Sequence, residues 1–405
     1  MVREARVTVL TGARQVGKST LLSHELGDAW RCFALDDVDV QGQARRDPEL
    51  LLTAAPRLIL DEAHLVPELF PAIKRLCDGD RARRFVLSGS ANLLLLSRTS
   101  ESLAGRAEFL RLLPMTGGEL GQAGAPAWLE AAMEGALEPP RTSAVPRTSD
   151  DLAAWVWRGG MPEVLYRHSD SSLRSWRDGY LRSYLERDLR QLSQVDSLSD
   201  FKRLMSLAAL RCGCLLNQSE LARDAGLTQP TAHRYLGLLE VSEQCVRLPA
   251  LHSNASKALV KSPKLMWTDT GVAAFCAGFR SAAELKASRE WGRFLEAYVF
   301  NQLRAIGETW EPPAEMAFWR TRAGTEVDFV MRRGRRLLAI EVKAAERLRF
   351  EDTAGIQEFM RLHRECVGGI VLYSGREVVR LAKGLMAVPI VALYGSPTLQ
   401  TTRSG

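Results

Sequence analysis

The sequence predicts an α/β protein in three parts. These are a nucleotide-binding α/β block over 1–120, a mostly helical middle over 151–285 and a second α/β block over 286–395, with a connector over 121–150. Three observations predict this. Short apolar runs alternate with amphipathic stretches at the start of the chain (RVTVL, TLLSHEL, RCFAL, PRLILDE, RRFVLSGS), which is the wiring of a buried parallel sheet with helices on its faces. A glycine-rich run, G-x-x-x-x-G-K-S, stands between the first strand and the first helix. Helical periodicity then fills the middle before strand-like runs return at MAFWRT, EVDFVM, LLAIEVK and GIVLYS. The stretch 121–150, rich in Ala, Gly, Pro, Ser and Thr, reads as the connector.

Length and composition bound the answer. At about 150 residues per domain, 405 residues suggest two or three domains. Apolar residues at 46% and charged residues at 25% exclude collagen-like and wholly disordered chains. The net charge of +6 permits nucleic acid as a partner without requiring it. No run approaches the roughly 18 apolar residues of a membrane span, and Arg3, Glu4 and Arg6 lead directly into a strand, unlike a signal peptide. Seven dispersed cysteines point to reduced thiols and a cytoplasmic address. Cys212 and Cys214 form a lone C-x-C and read as buried thiols rather than a zinc site.

The first block carries the most specific chemistry. Gly12, Ala13, Arg14, Gln15, Val16, Gly17, Lys18 and Ser19 follow a strand over 7–10 and open a helix over 19–26. Glycines let backbone N–H groups wrap phosphates, and a helix N-terminus favours negative charge. In this phosphate cradle, which extends to Thr20, Lys18 reaches the β/γ-phosphates of ATP and Ser19 ligates Mg²⁺. A second strand over 58–60 ends in Asp61 and Glu62, at the strand edge where ligands bind. Asp61 is the second Mg²⁺ residue and Glu62 the group that polarises the attacking water. Asp61-Glu62-Ala63-His64 also spell a helicase box, but no other helicase motif follows, and His64 reads as a helix-start residue. The strand over 85–87 is expected between the other two, with Ser88, Ser90 and Asn92 as candidate γ-phosphate sensors; the sequence does not choose among them. Arg106 follows, placed to complete a neighbouring subunit's nucleotide site in a homo-oligomer, or else to form a surface salt bridge.

GARQVGKSTLL, LILDEAHLVPELFPAIKRLCD, RRFVLSGSANLLLL, ESLAGR and LLPMTGGEL together resemble the bacterial and archaeal AAA-like ATPase family of the additional-strand P-loop class, whose members carry a C-terminal domain of unknown function. Trp157–Glu163 resembles the family's G-G-x-P-E segment, and Tyr184-Leu185-Glu186-Arg187-Asp188 its Y-x-E-R-D helix. The resemblance covers nearly the whole chain and implies an additional-strand P-loop NTPase domain. One departure is the helix that members place before the first strand, since this chain begins at that strand.

In the middle block, 215–228 reads as helix, glycine turn and new N-cap. The next helix, over 229–240, gathers Ala232, Tyr235, Leu236 and Leu239 on one face and leaves Gln229, Thr231, His233 and Arg234 largely elsewhere, as a recognition helix requires. With Val246-Arg247-Leu248 opening a wing, this is a winged-helix pattern, read either as a DNA contact or as a protein-contacting lid.

In the last block, Asp328 is separated by twelve residues from Glu341, and Lys343 follows. Strand alternation puts Glu341 and Lys343 on one face. Two acids and a lysine converging on one point can bind Mg²⁺, orient water and neutralise a cleaved phosphodiester; Glu296, on a helix over 291–303, is a further carboxylate for the metal. This pattern resembles the PD-(D/E)XK nuclease fold, an α-β-β-β-α-β core, with Val327 where a Pro is usual. The helix after the lysine holds Gln357 but lacks the Gln-plus-Tyr pair of some exonuclease relatives. Arg320, Arg322, Arg332, Arg333, Arg335, Arg336, Arg347 and Arg349 make the region basic, as a nearby phosphate backbone or a solvated face would. The expected function is Mg²⁺-dependent ATP hydrolysis coupled to DNA binding. The competing expectation is a nucleotide-dependent switch or scaffold for a protein partner, with the nuclease-like site inert.

Overall fold

The computed structural model describes residues 5–89, 105–140, 149–184, 195–251 and 262–395. It divides into two compact units, one built on the chain up to Pro114 together with Gly237–Gln244, the other on most of the chain from Met115 onward.

The first unit is a five-stranded parallel sheet. Its strands are β1 (Val7–Gly12), β2 (Arg31–Ala34), β3 (Arg57–Asp61), β4 (Arg84–Ser88) and β5 (Ala107–Leu112), in the order β2-β3-β4-β1-β5. β1 is buried at every position, as a strand covered on both faces must be. β4 lies between β1 and β3, so the strand bearing the glycine-rich loop and the strand ending in Asp61 are not neighbours. The helices are α1 (Lys18–Leu26), α2 (Val38–Arg46), α3 (Pro48–Thr53) and α4 (Leu69–Gly79). Asp37 caps α2 through the N–H groups of Asp39 and Val40; Asp47 caps α3 through Leu50, with Pro48 in the first turn. On α4, Leu69, Phe70, Ile73 and Cys77 form the buried stripe that joins the core of Leu58, Leu60, Phe85 and Leu87.

The second unit opens with α5 (Gly117–Leu120), α6 (Ala127–Met133), α7 (Ser149–Arg158), α8 (Asp170–Ser183), α9 (Leu198–Leu210), α10 (Gln218–Asp224) and the part of α11 (Gln229–Val241) that precedes Gly237. An antiparallel ribbon, β6 (Cys245–Leu248) with β7 (Lys264–Trp267), follows, then α12 (Thr270–Cys276), α13 (Ala282–Ala287) and α14 (Trp291–Glu308). The sheet consists of β8 (Glu315–Arg320), β9 (Glu326–Arg333), β10 (Arg336–Lys343), then, after α15 (Ala354–Leu362), β11 (Cys366–Tyr373), β12 (Val379–Ala382) and β13 (Leu385–Pro389), in the order β12-β13-β11-β10-β9-β8. Ile340 and Ala339 point to opposite faces. Phe329, the partner of Ile340, meets Phe300 of α14 at 5.8 Å, while Ala339 joins Ile356 and Phe359 of α15. Among the described residues no helix is long and apolar enough to cross a membrane.

Two features differ from the sequence expectation. The expected connector contains α6, with Leu129, Ala132 and Met133 fully buried and Trp128 Nε1 donating to the Ala392 carbonyl at 2.9 Å. Composition hid an i, i+3, i+4 face that packs on β10 and β11. The last sheet also has two more strands than the four runs picked out, because β12 and β13 are only four and five residues long.

The segment resembling G-G-x-P-E is the meeting point of a buried polar knot. Asp269 caps α12 through Val272 N (2.7 Å) and accepts from Gly160 N (2.6 Å), while Thr270 Oγ1 donates to Val156 O at 2.7 Å. Arg177 of α8, fully buried, lies over the Trp157 ring at 4.4 Å and donates to the carbonyls of Trp157 (2.5 Å) and Arg158 (3.1 Å). Burial pulls its guanidinium down to about 10. Burial also raises the Asp269 carboxyl, against the backbone N–H donors that lower it. A Cβ on Gly160 would stand 2.2 Å from Met115 O. Gly160→Ala is therefore expected to cost about 1–3 kcal/mol of stability. Gly179→Ala, inside α8 with open space around it, should instead stabilise by up to about 1 kcal/mol. Thermal denaturation of the two variants checks the opposite signs.

Candidate functional site

The glycine-rich loop of the first unit has the backbone that phosphate binding requires. Gln15 (φ 58°) and Gly17 (φ 100°) are left-handed, which turns successive N–H groups toward one concavity. Gly12 takes φ 151°, and a Cβ there would stand 2.4 Å from Leu112 O of the paired strand β5. Gly17 is the N-cap of α1, so Lys18, Ser19 and Thr20 occupy its first turn, where the orphan N–H groups are. Lys18 is buried, and its ammonium donates to the carbonyls of Gly12 (3.0 Å) and Ala13 (2.8 Å), across the loop. Ala13 and Val16 are buried beneath the loop, and Arg14 and Gln15 stand on its outer side.

Asp61 ends β3, and Ser88 ends β4 beside it. Asp61 Oδ1 accepts from the Ser88 hydroxyl and from Glu62 N at 3.1 Å. Ser88 is fully buried and level with Leu10 of β1, so the interposed strand carries a hydroxyl between the loop strand and the acidic strand. Of the three sensor candidates, Ser88 has this place; Ser90 and Asn92 lie outside the described residues, as do Leu185 to Asp188. Glu62 adopts a left-handed conformation (φ 54°, ψ 40°), at a cost of about 1–3 kcal/mol for a non-glycine residue. His64, expected only to start a helix, sits in the following turn with a buried side chain, its Nδ1 3.2 Å from Glu62 Oε2. The sequence signal for it was the helicase-like spelling itself. Arg106 pairs with Asp78 through two hydrogen bonds of 2.7 and 3.0 Å, so its surface salt bridge is formed. A cavity of about 400 Å³ lined by Trp30, Arg57 and Arg84 opens at the starts of β3 and β4, at the far end of the strands from Asp61 and Ser88.

The second unit gathers the acidic residues singled out in its sequence, with two additions. β9 and β10 pair as far as Phe329 and Ile340. Beyond that point the carboxylates take over the ladder: Val342 N donates to Asp328 Oδ2 at 2.9 Å and Asp328 N to Glu341 Oε2 at 3.4 Å. On the other side, Ala317 faces Val330 but Trp319 faces Val327, so β9 carries one extra residue near Asp328, a bulge of the kind that re-aims a side chain. Lys343 donates to Glu341 Oε1 at 3.0 Å, as same-face residues on a strand can. Glu296 of α14 arrives from the sheet's flank.

The additions are Glu326 of β9 and Lys264 of β7, both of which sequence reasoning missed. The Lys264 ammonium lies 2.7 Å from Glu296 Oε1, 2.6 Å from Glu326 Oε1 and 3.6 Å from Asp328 Oδ1. Burial works against this charge, but Glu296, Asp328 and Glu326 outweigh it and hold its pKa above the usual lysine value. Burial, with Asp328 next, pushes Glu296 up to about 8 and Glu341 up to about 7, and Asp328 is raised by burial too. A lysine inside an otherwise apolar run, KLMW, was the available signal. Among the described residues, no group of three or more His, Cys, Asp and Glu side chains is arranged to hold a metal ion. Of the expected metal residues, Glu296 and Asp328 meet at Lys264, while Glu341 is held by Lys343 and the Asp328 N–H.

Four of the eight arginines of the basic region face carboxylates. Arg332 pairs with Glu315, Arg333 with Glu130 and Glu134, Arg336 with Glu134, and Arg320 stands 3.7 Å from Glu326. Arg234 of α11 pairs with Asp196, and Gln229 and His233 bond Ser219 and Gln218 of α10. Cys212 is buried, its thiol pushed up to about 12 by burial, and Cys214 accepts from Arg293 at 2.9 Å.

This parallel sheet, loop and strand-end acid define a P-loop ATPase domain of the AAA class, and residues 4–121 match the family described as AAA domain. Residues 149–283 and 291–393 match two families described as domains of unknown function, DUF8612 and DUF4143. The chain is 30% identical over 393 residues to the uncharacterized proteins Rv2008c of Mycobacterium tuberculosis and Mb2031c of Mycobacterium bovis, covering 96% of this chain and 81% of each relative. It belongs to the family of these proteins. It is also similar to the solved Walker-type ATPase PABY2304 of Pyrococcus abyssi, at 17% identity and a TM-score of 0.44, over 67% of this chain and 91% of that one.

The burial of Lys264 makes a stability prediction. Lys264→Ala leaves buried carboxylates without their cation and should cost about 3–5 kcal/mol. Lys343→Ala, at a partly exposed side chain, should cost clearly less. Denaturant midpoints of the two variants provide the comparison.

Proposed function

We propose that this protein hydrolyses ATP with Mg²⁺ and couples the hydrolysis to DNA binding. The observation that carries the first half is the set of Lys18 and Ser19 in the first turn of α1, Asp61 and Glu62 at the end of β3, and Ser88 on the strand between. In this reading the loop N–H groups and Lys18 bind the phosphates, exchanging the carbonyls of Gly12 and Ala13 for phosphate oxygens. Ser19 and Asp61 would hold Mg²⁺, which neutralises charge on the β- and γ-phosphates when bound. Glu62 takes the proton of the attacking water. Ser88, held on Asp61, positions that carboxylate and senses the γ-phosphate, a role also open to Asn92.

DNA enters through the middle of the chain. α9, α10 and α11 followed by the β6–β7 ribbon support a winged-helix reading. The element order α14-β8-β9-β10-α15-β11 supports a PD-(D/E)XK-like reading of the end, with Asp328, Glu341 and Lys343 at its centre. The pairing of Arg234, Arg332, Arg333 and Arg336 with carboxylates favours the second reading, a nucleotide-dependent switch for a protein partner, because those cations must first leave their acids to reach phosphates.

Two variants and one addition test this. Lys18→Ala should abolish hydrolysis and weaken ATP binding. Glu62→Gln should keep ATP bound and slow turnover by about 100-fold or more, the usual contribution of a general base; wild-type turnover by this variant would remove Glu62 from the mechanism. DNA should stimulate the steady-state rate and bind less tightly as salt rises; an ATPase indifferent to every DNA form tested favours the protein-partner reading.

Arg106 is proposed to leave Asp78 and complete the site of a neighbouring copy in a homo-oligomer. Mixing Arg106→Ala with Lys18→Ala subunits should then restore part of the activity that each lacks. Absence of recovery in a demonstrably mixed oligomer places no finger there.

A further inference from the structure

We propose that the Lys264 ammonium is a built-in counter-ion which occupies the cation position among Glu296, Glu326 and Asp328 and keeps a divalent metal out of it, so that the C-terminal sheet works as a non-cleaving module.

Three carboxylates, from α14 and from two positions of β9, converge within 3.6 Å of one nitrogen. Lysine ammonium groups that merely balance surface acids stay in water, whereas only 4% of this side chain is exposed. Its nitrogen also stands 5.6 Å from the centre of the Phe318 ring. The lysine that nuclease-like clusters use is already present as Lys343, bonded to Glu341, so Lys264 is an additional cation.

Lys264 is also held in place by its backbone. It pairs with Leu248 across the ribbon and with Leu215 on its other side. The continuation of β6 is fastened to the sheet: Phe318 N donates to Pro249 O at 3.0 Å and Leu251 N to Phe318 O at 2.6 Å. The ammonium is thus delivered by β7, whose partner β6 runs on into a segment bonded to β8. A divalent ion among the same carboxylates would lie beside a fixed like charge in a poorly hydrated interior, where repulsion is strong.

The inference rests on the nuclease-like reading only in saying where a metal would be sought. It is tested by Mn²⁺ binding to the nucleotide-free full chain, followed by electron paramagnetic resonance and by thermal midpoint. The wild type should bind no Mn²⁺ at this cluster and its midpoint should not respond. Lys264→Met should bind one Mn²⁺ at least about tenfold more tightly than the wild type, and Mn²⁺ should raise its midpoint. Adding Asp328→Asn should remove both effects. If Lys264→Met does not fold, Lys264→Met with Glu326→Gln removes the charge together with its nearest acid and should behave the same way. One Mn²⁺ on the wild type, lost in Asp328→Asn, overturns the proposal and leaves the nuclease-like reading standing. No Mn²⁺ on either folded Lys264 variant overturns the proposal and the metal reading of the cluster together.

Discussion

A charge taken out of water must find its partners inside the chain, and much of this structure is arranged around three cations that do so. Lys18, Arg177 and Lys264 are all buried. Lys18 is answered by two carbonyls of its own loop, Arg177 by two carbonyls and the face of Trp157, and Lys264 by carboxylates. The type of partner separates their roles. Carbonyls hold a cation weakly enough for phosphate to replace them, which suits a binding loop. An aromatic face and two carbonyls pin a backbone turn. Buried carboxylates hold a lysine so firmly that neither side can be removed without leaving an uncompensated charge.

How much of this was legible in the sequence follows from the distance over which each feature is determined. The phosphate loop is encoded by eight consecutive residues, and its strand, turns and helix appear where the motif puts them. Asp61 was legible because strand ends in parallel sheets face ligands. The Glu341 and Lys343 pairing follows from strand alternation. Lys264 was not legible because its partners lie 32 residues and more away on other elements, joined by a bulge in β9 and a ribbon whose continuation is bonded to β8. Neither device leaves a local pattern. Arg177 was missed for a similar reason, since an arginine on a polar helix such as SSLRSWRDGY ordinarily faces water. The helix α6 was masked by composition alone.

The polar knot and the carboxylate cluster share a neighbourhood in sequence, because Lys264 and Asp269 flank the same short apolar run. β7 carries its lysine into the acidic cluster at one end, and five residues later Asp269 starts α12 and ties the Gly159-Gly160 turn. That short stretch therefore fixes two parts of the second unit at once. Substitutions within it should act on both, which distinguishes it from the arginine-rich hairpin of β9 and β10, where ion pairs lie nearer the surface and contribute little each.

The fastening of Pro249–Leu251 to β8 has a consequence for solubility. β8 ends the six-stranded sheet, and the outward N–H and C=O groups of a terminal strand are a template on which a strand of another molecule can grow. In this protein the backbone of Phe318, at the middle of that strand, spends both groups on Pro249 and Leu251, just beyond β6. A foreign strand seeking a continuous run of ladder bonds meets an interruption halfway along, and this segment of the chain serves as the guard against intermolecular sheet extension at that edge.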